Sequence, residues 1–379
     1  MLMKILSTLK KIIKSKLKFL PPKKLKTLIW GVPSHLELLK EKKYKIDFNK
    51  TNLIHVWGEE YNLFILFKCL INLKFSFLEY SREYIRYTKA KVIITFLDNY
   101  ISAYKLRTNA SQKLIIIQNA WRSDEYNFFK KKIKEKPKID YLLLQNKNLI
   151  KKYKNICTSK FLPIGSFISN HVPIANNKKK YELLYISTFR KLDFNKIIYS
   201  TKTLIENARK SEEIILKILY KYCFKNKIKF YVLPSRKPDI VKEQTNFIKK
   251  HTGNKCKIIN RPYSDNVFAY NVIDSSKIVV GIDSTLMYEA FGRGVKTVFC
   301  NIRPADKFLK RDRYFGWPKK FPPQGPFWSN QSDYDSISQL IKKVLKYNHR
   351  QWTDIKRKYS EDLMPYDKNN SSFLKTLKI

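Results

Sequence analysis

A rhythm that runs twice through the sequence constrains the fold more than any other feature. From about residue 28 to 170, short β-branched or aromatic runs alternate with polar stretches of helical spacing. Leu53–Trp57, Phe75–Leu78, Val92–Leu97, Leu114–Gln118 and Tyr141–Gln145 have strand composition, and segments such as Tyr61–Ile71 have helical spacing. At Ser169–Lys180 the pattern breaks in a Pro-, Asn- and Lys-containing stretch with linker composition. It then restarts. Leu183–Ile186, Ile228–Leu233, Cys256–Ile259, Ile278–Gly281 and Thr297–Cys300 are expected strands. Helices are expected over Ser211–Phe224, Pro238–His251, Asp265–Ile273 and Ser284–Gly292. Apolar strands separated by helices pair in parallel and are covered on both faces. The expected fold is therefore α/β, with two Rossmann-like parallel-sheet domains, 28–170 and 181–335, facing a cleft. Residues 1–22 are expected to form a separate basic amphipathic helix, and 336–379 C-terminal helices that pack back across the domains. Ligands of open parallel sheets bind beyond the carboxyl ends of the strands.

Composition fits this plan. A chain of 379 residues suits two domains. A hydrophobic fraction of 44% excludes global disorder, and 9 Gly with 15 Pro exclude collagen-like or low-complexity architecture. The net charge of +46 raises nucleic acid or an anionic membrane as a partner, although a lysine-rich compositional bias alone produces such a balance. The charge is spread along the chain and no nucleic-acid motif occurs, so nucleic acid is not the expected partner. Cys69, Cys157, Cys223, Cys256 and Cys300 have no metal spacing and are expected to be buried small hydrophobes in a reducing compartment. No run of 18 apolar residues occurs, so no membrane-spanning helix is expected. In residues 1–20, Leu2, Ile5, Leu9, Ile12 and Ile13 share one helical face and lysines cover the other, up to Pro21-Pro22. That composition suits a helix lying in a membrane interface, or one packed on the protein itself. The expected location is cytoplasmic, peripheral on the inner face of the cell membrane, with an anionic membrane surface as partner.

The strongest local signal is Lys277–Phe299. A buried strand ends at Gly281-Ile282, and Asp283 or Ser284 caps the next helix. Ser284 and Thr285 add hydroxyls to a helix N-terminus, whose positive dipole end suits a phosphate. Glu289 lies on the same helix, within reach of a sugar or ribose hydroxyl. A plain strand-to-helix connection with a good cap explains the same residues.

Asp283–Thr297 resembles the donor-site segment of GT-B glycosyltransferases, and most of all that of surface carbohydrate biosynthesis proteins, where Ser-Thr-x-x-x-Glu-Ala precedes a small-residue turn. Thr95–Asn99, Ile117–Asn119, Gly165–Asn170 and Gly316–Pro318 resemble the same group, so the likeness covers most of residues 50–330. The resemblance implies transfer of a sugar from a nucleotide-sugar donor to a glycan or lipid-linked acceptor: lipopolysaccharide, capsule or a related polysaccharide. A polyol-phosphate transferase and a sugar-nucleotide epimerase share the fold and remain alternatives. So does a non-catalytic basic protein that grips nucleic acid or anionic membrane.

Strand ends supply the other candidates. On the donor side these are Ser187, Thr188 and Arg190 after the first strand of the second half, Ser235 and Arg236 after the next, Arg261 after another, and Arg303. Arg190 and Arg303 are expected to neutralise the departing phosphate. A catalytic base is sought in the first half, with Asp98 leading and Glu60 and Asp124 behind it. Each has a bland explanation as a turn or helix-start residue. No Asp-x-Asp lies at a strand end, so no metal is expected; the nucleotide sugar is a co-substrate, and no resident cofactor is expected. The loop Asn301–Asn330 carries Phe308, Tyr314, Phe315, Trp317, Phe321, Phe327 and Trp328, suited to stacking on sugar or base, or to a small core of its own.

Overall fold

The computed structural model describes residues 12–377 except 40–43, 45, 47–49, 123–126, 131–132, 176–177, 190–198, 236–239, 263–264, 266 and 303–314. Before the linker come β1 (Lys16–Lys18), β2 (Thr27–Gly31), β3 (Thr51–His55), β4 (Glu60–Asn62), β5 (Val92–Thr95), β6 (Lys113–Ile117), β7 (Lys138–Leu144) and β8 (Thr158–Pro163). After it come β9 (Tyr181–Ile186), β10 (Phe230–Leu233), β11 (Lys257–Ile258), β12 (Ser276–Gly281), β13 (Thr297–Cys300) and β14 (Trp328–Ser329). Two six-stranded sheets result, in the orders β3-β2-β5-β6-β7-β8 and β11-β10-β9-β12-β13-β14. Every neighbouring pair in them is parallel. In each sheet the chain builds outward on one side of its first strand, returns, and builds on the other. The order therefore reverses between β2 and β5, and between β9 and β12.

Several expected elements differ. Phe75–Leu78 is not a strand: Phe77 opens the helix Phe77–Thr88, whose N-cap Ser76 accepts a hydrogen bond from the Glu79 amide at 3.1 Å. A Ser-x-x-Glu start signal outweighs the aromatic β propensity there. The helix expected over residues 1–22 does not extend through Lys16–Lys18, which form β1 beside β4 with Lys16 opposite Glu60; residues 1–11 lie outside the described residues. Pairing with a neighbouring strand overrides helical spacing at that point. Two strands of the first sheet escape the sequence reading. β2 is a short apolar run behind a Lys- and Pro-rich stretch, and β8 is an edge strand containing Lys and Pro, residues that protect edges. Cys256 is half-buried, with Sγ 3.2 Å from the Thr252 hydroxyl; the other four Cys are buried.

The second sheet has one continuous core, and the first has a core on each face. Segments from late in the chain complete both cores of the first sheet. Trp317 joins the core of Tyr104, Leu144 and Tyr153 on one face, with its ring 5.6 Å from that of Phe129, and Phe373 joins that of Ile94, Ile117 and Phe167 on the other, 5.1 Å from the Phe167 ring. The chain leaves the first half through the short helix Phe167–His171 and returns after the helix His349–Leu363. Arg293 fixes the outgoing crossing. Its Nε and Nη2 donate to the Asp274 carboxylate, and its remaining N–H groups to the carbonyls of Ser169, Val172 and Pro173 at 2.9 Å. This buried pair is fully hydrogen-bonded, the condition under which buried charge is tolerated. Gly165 lies against the returning chain with φ +80°, and a Cβ there would stand 1.8 Å from the Pro365 carbonyl oxygen. Among the described residues no helix is long and apolar enough to cross a membrane.

Candidate functional site

The carboxyl ends of the two sheets face each other. At the order reversal of the second sheet, Ile186 of β9 is opposite Gly281 of β12. Ser187-Thr188 continue from one strand and Ile282-Asp283-Ser284 from the other, so the two strongest donor-side candidates flank one crevice. Ser284 is the N-cap of the helix Thr285–Gly292, and its Oγ accepts from the Leu286 amide at 3.3 Å. Asp283, Ser284 and Thr285 are half-buried, as expected of a cleft wall. Ser187 serves the loop itself. Its Oγ donates to Glu212, accepts from Gln244 Nε2 at 2.7 Å and from the Phe189 amide at 3.2 Å. The Thr188 amide donates to the same Glu212 carboxylate at 3.2 Å, and the Thr188 side chain is half-buried.

Across the cleft, the loop after β6 reaches the donor-side helix. The Trp121 amide donates to Thr285 Oγ1 at 3.2 Å, and the Trp121 ring stacks on Tyr288 with centroids 3.7 Å apart and planes 8° apart. What holds this loop is Asp98, at the end of β5. Arg122 Nε donates to its Oδ2 at 2.9 Å and Arg122 Nη2 to its Oδ1. Tyr153 Oη also donates to Oδ2, and the Asn119 amide to Oδ1 at 3.4 Å. Asp98 is fully buried. The expectation that it acts as the base is therefore corrected. A carboxylate closed off from solvent, whose four acceptor positions are taken by two guanidinium N–H groups, a phenol and a backbone amide, has no lone pair to offer an acceptor hydroxyl. Its work is to position the loop that carries Trp121.

Glu289 also differs from expectation. It is buried, and its carboxylate accepts from Ser166 Oγ at 2.5 Å and from the side chain of Tyr270. Burial raises its pKa, against the lowering effect of those two hydrogen bonds and of Arg293 and Arg261 nearby. Ser166 follows the last strand of the first sheet, so this contact is a second tie between the halves. Arg261 is half-buried beside Glu289, with Nη1 3.4 Å from the Pro234 carbonyl oxygen at the end of β10. Of the arginines that the sequence singles out at strand ends of the second half, it is the one among the described residues. Trp121 and Tyr270 carry no motif of their own and become visible only once the strand ends are brought together; Ser166 lies in the Gly165–Asn170 segment of the resemblance, which does not tell of its bond to Glu289.

Ser235 follows β10 and is half-buried. Arg190, Arg236, Arg303 and Asp124 lie outside the described residues. Glu60 is a β4 residue whose carboxylate pairs with Lys18 Nζ at 2.6 Å. His171 Nδ1 is 2.9 Å from the Tyr44 hydroxyl, in a stacked structural contact. In the loop after β13, Phe315, Trp317, Phe327 and Trp328 are buried, with Phe315 stacked on Trp328 at 4.6 Å. Phe315, Phe327 and Trp328 belong to the core of the second sheet and Trp317 to a core of the first, so the stacking role for sugar or base is corrected for these four; Phe308 and Tyr314 lie outside the described residues. Among the described residues no group of three or more His, Cys, Asp or Glu side chains could hold a metal ion.

Two parallel sheets of reversing strand order, with their carboxyl ends opposed across a cleft, define a two-domain protein of the GT-B type. The chain belongs to the family described as "putative O-antigen biosynthesis protein", whose model matches residues 115–379. This agrees with the resemblance of the Asp283–Thr297 segment to surface carbohydrate biosynthesis proteins. Similar solved structures include the wall teichoic acid polymerase TagF in its H548A form (13% identity, 93% of this chain, 88% of that chain, TM-score 0.48). A glycosyltransferase from Rickettsia africae ESF-5 is similar at 12% identity over 93% of this chain and 99% of that one, with TM-score 0.48. The UDP-GlcNAc 2-epimerase from Neisseria meningitidis bound to UDP-GlcNAc is similar at 12% identity over 93% and 98%, with TM-score 0.47. No curated protein matches the chain in sequence.

Proposed function

We propose that the protein is a glycosyltransferase of surface-glycan synthesis, moving a sugar from a nucleotide-sugar donor to a glycan or lipid-linked acceptor. The observation that carries this reading is the crevice where strand order reverses between β9 and β12, walled by Thr188 on one side and the Ser284-capped helix on the other. The donor phosphates meet the amide end of that helix, whose dipole favours negative charge. Arg261, and the sequence candidates Arg190 and Arg303, neutralise the nucleotide as it leaves, without a metal. The acceptor hydroxyl attacks the anomeric carbon from the first half. The bond from that carbon to the phosphate oxygen breaks, its electron pair leaves with the nucleotide, and the hydroxyl proton passes to a carboxylate. With Asp98 occupied and Glu60 paired with Lys18 in the β1–β4 ribbon, that base is sought at Asp124, which follows the anchored Arg122 in sequence.

The test is a thermal-shift screen against UDP-, GDP-, CMP- and TDP-sugars. A ligand at about 100 times its Kd stabilises the fold by about 2.7 kcal/mol, a readily measured rise in melting temperature. One nucleotide class is expected to give that rise. A well-folded sample that responds to none of them contradicts the enzyme reading.

A further inference from the structure

We propose that the outward face of the helix Leu63–Ile71, together with Phe19-Leu20, docks on an anionic lipid bilayer. The inference is independent of the donor-site reading. This helix buries Ile65 and Cys69 against the protein, yet its opposite face is apolar as well. Phe67 and Ile71 are 62% and 65% exposed, and Leu70 lies beside them on the same face. The chain then continues into Leu73, 76% exposed and held at φ +53°, a left-handed conformation that a leucine adopts only under constraint. A surface helix ordinarily presents polar groups to water, and one that is apolar all round has a second apolar medium to meet.

Phe19 and Leu20, 75% and 82% exposed, lie beside the start of the same helix. β1 pairs with β4, directly before this helix, and Asn62 Nδ2 donates to the Leu20 carbonyl at 2.7 Å. Lys24 and Lys68 both approach the ring of Tyr87, at 6.0 and 5.5 Å, which places the two segments side by side. Scattered apolar residues on a surface need no explanation, but a contiguous group of this kind marks an interaction site.

Charge selects the occupant. Residues 1–36 contain nine lysines and no acid, and residues 61–78 contain two lysines and no acid. Lys14, Lys16, Lys18, Lys23 and Lys24 are exposed around the apolar group. Three of the acids on flanking elements are already engaged, Glu60 by Lys18, Glu79 by Arg82 and Glu83 by Arg86, and Glu59 lies 3.6 Å from His55 Nδ1. A second copy of the chain would bring the same lysines against these. An anionic bilayer satisfies both parts. Apolar tips enter the acyl boundary while lysines stay at the headgroups. The membrane contact expected of a free N-terminal helix is thereby assigned to a preformed surface of the first domain.

The experiment is vesicle flotation of the full chain, with phosphatidylcholine alone or mixed with phosphatidylglycerol. The variant is Phe67→Ser/Ile71→Ser/Leu73→Ser, whose three positions are exposed, with an unchanged melting temperature as the folding control. Wild type is expected to float with mixed vesicles and not with phosphatidylcholine alone, and the variant to bind the mixed vesicles at least about tenfold more weakly. Wild type that fails to float with mixed vesicles overturns the proposal, as does a variant that floats equally well. A wild-type dimer in light scattering that the variant turns into a monomer, with flotation unchanged, assigns the face to a second copy and also overturns it.

Discussion

Two buried carboxylates, Asp98 and Glu289, are held by different chemistry and respond differently to change. Asp98 faces a buried guanidinium. Replacing it by Asn leaves Arg122 charged and uncompensated, and costs about 3 kcal/mol or more. Asp98→Asn is therefore expected to lower the denaturant midpoint markedly; a variant as stable as wild type but inactive would return Asp98 to the role of base. Glu289 has neutral donors closest to it, Ser166 and Tyr270, and burial raises its pKa above the ordinary 4.5. The folded chain then holds more protons than the unfolded one between those two values. The stability Glu289 contributes is fully present below the unfolded value and is lost as pH rises through the folded one. Glu289→Gln has no such ionisation. Its melting temperature is expected to gain on wild type as pH rises from about 4.5 toward neutrality. Parallel melting curves over that range would contradict the assignment.

At the scale of elements, Gly165 and Ser284 mark where a single residue shapes a turn. Gly165→Ala would place a methyl inside the Pro365 carbonyl at a positive φ, so a loss of more than about 1 kcal/mol is expected in chemical denaturation. The helix start at Ser284 is legible in the sequence because capping is local chemistry, written within a few residues. The fixing of Asp98 is not. Its partners Arg122 and Tyr153 lie 24 and 55 residues away, and only the strand order brings them together. The strand expected at Phe75–Leu78 fails for a related reason, since aromatic composition there competes with a cap at Ser76. Burial of Glu289 is hidden too, because Ser166 meets it from the other domain. The parallel α/β class survives these errors because it depends on the repeated rhythm rather than on any one element.

At the scale of the molecule, the first half depends on the rest of the chain. Trp317 and Phe373 each fill one of its cores, and truncating a buried aromatic costs about 3–5 kcal/mol, a large share of a domain's stability. A fragment ending at residue 175 is accordingly expected to lack a cooperative unfolding transition by near-UV circular dichroism. A cooperative transition in that fragment would show that the late segments add little.

The central claim is that a donor phosphate sits at the Ser284 end of the helix Thr285–Gly292. Ser284→Asp tests it most directly. Asp caps a helix as well as Ser does, so the fold should keep its stability to within about 0.5 kcal/mol, while the new charge repels a phosphate at that end. The measurement is the thermal shift given by whichever nucleotide sugar stabilises wild type. The account predicts that Ser284→Asp melts as wild type does without ligand and loses the ligand-induced rise. A full rise in the variant would contradict it.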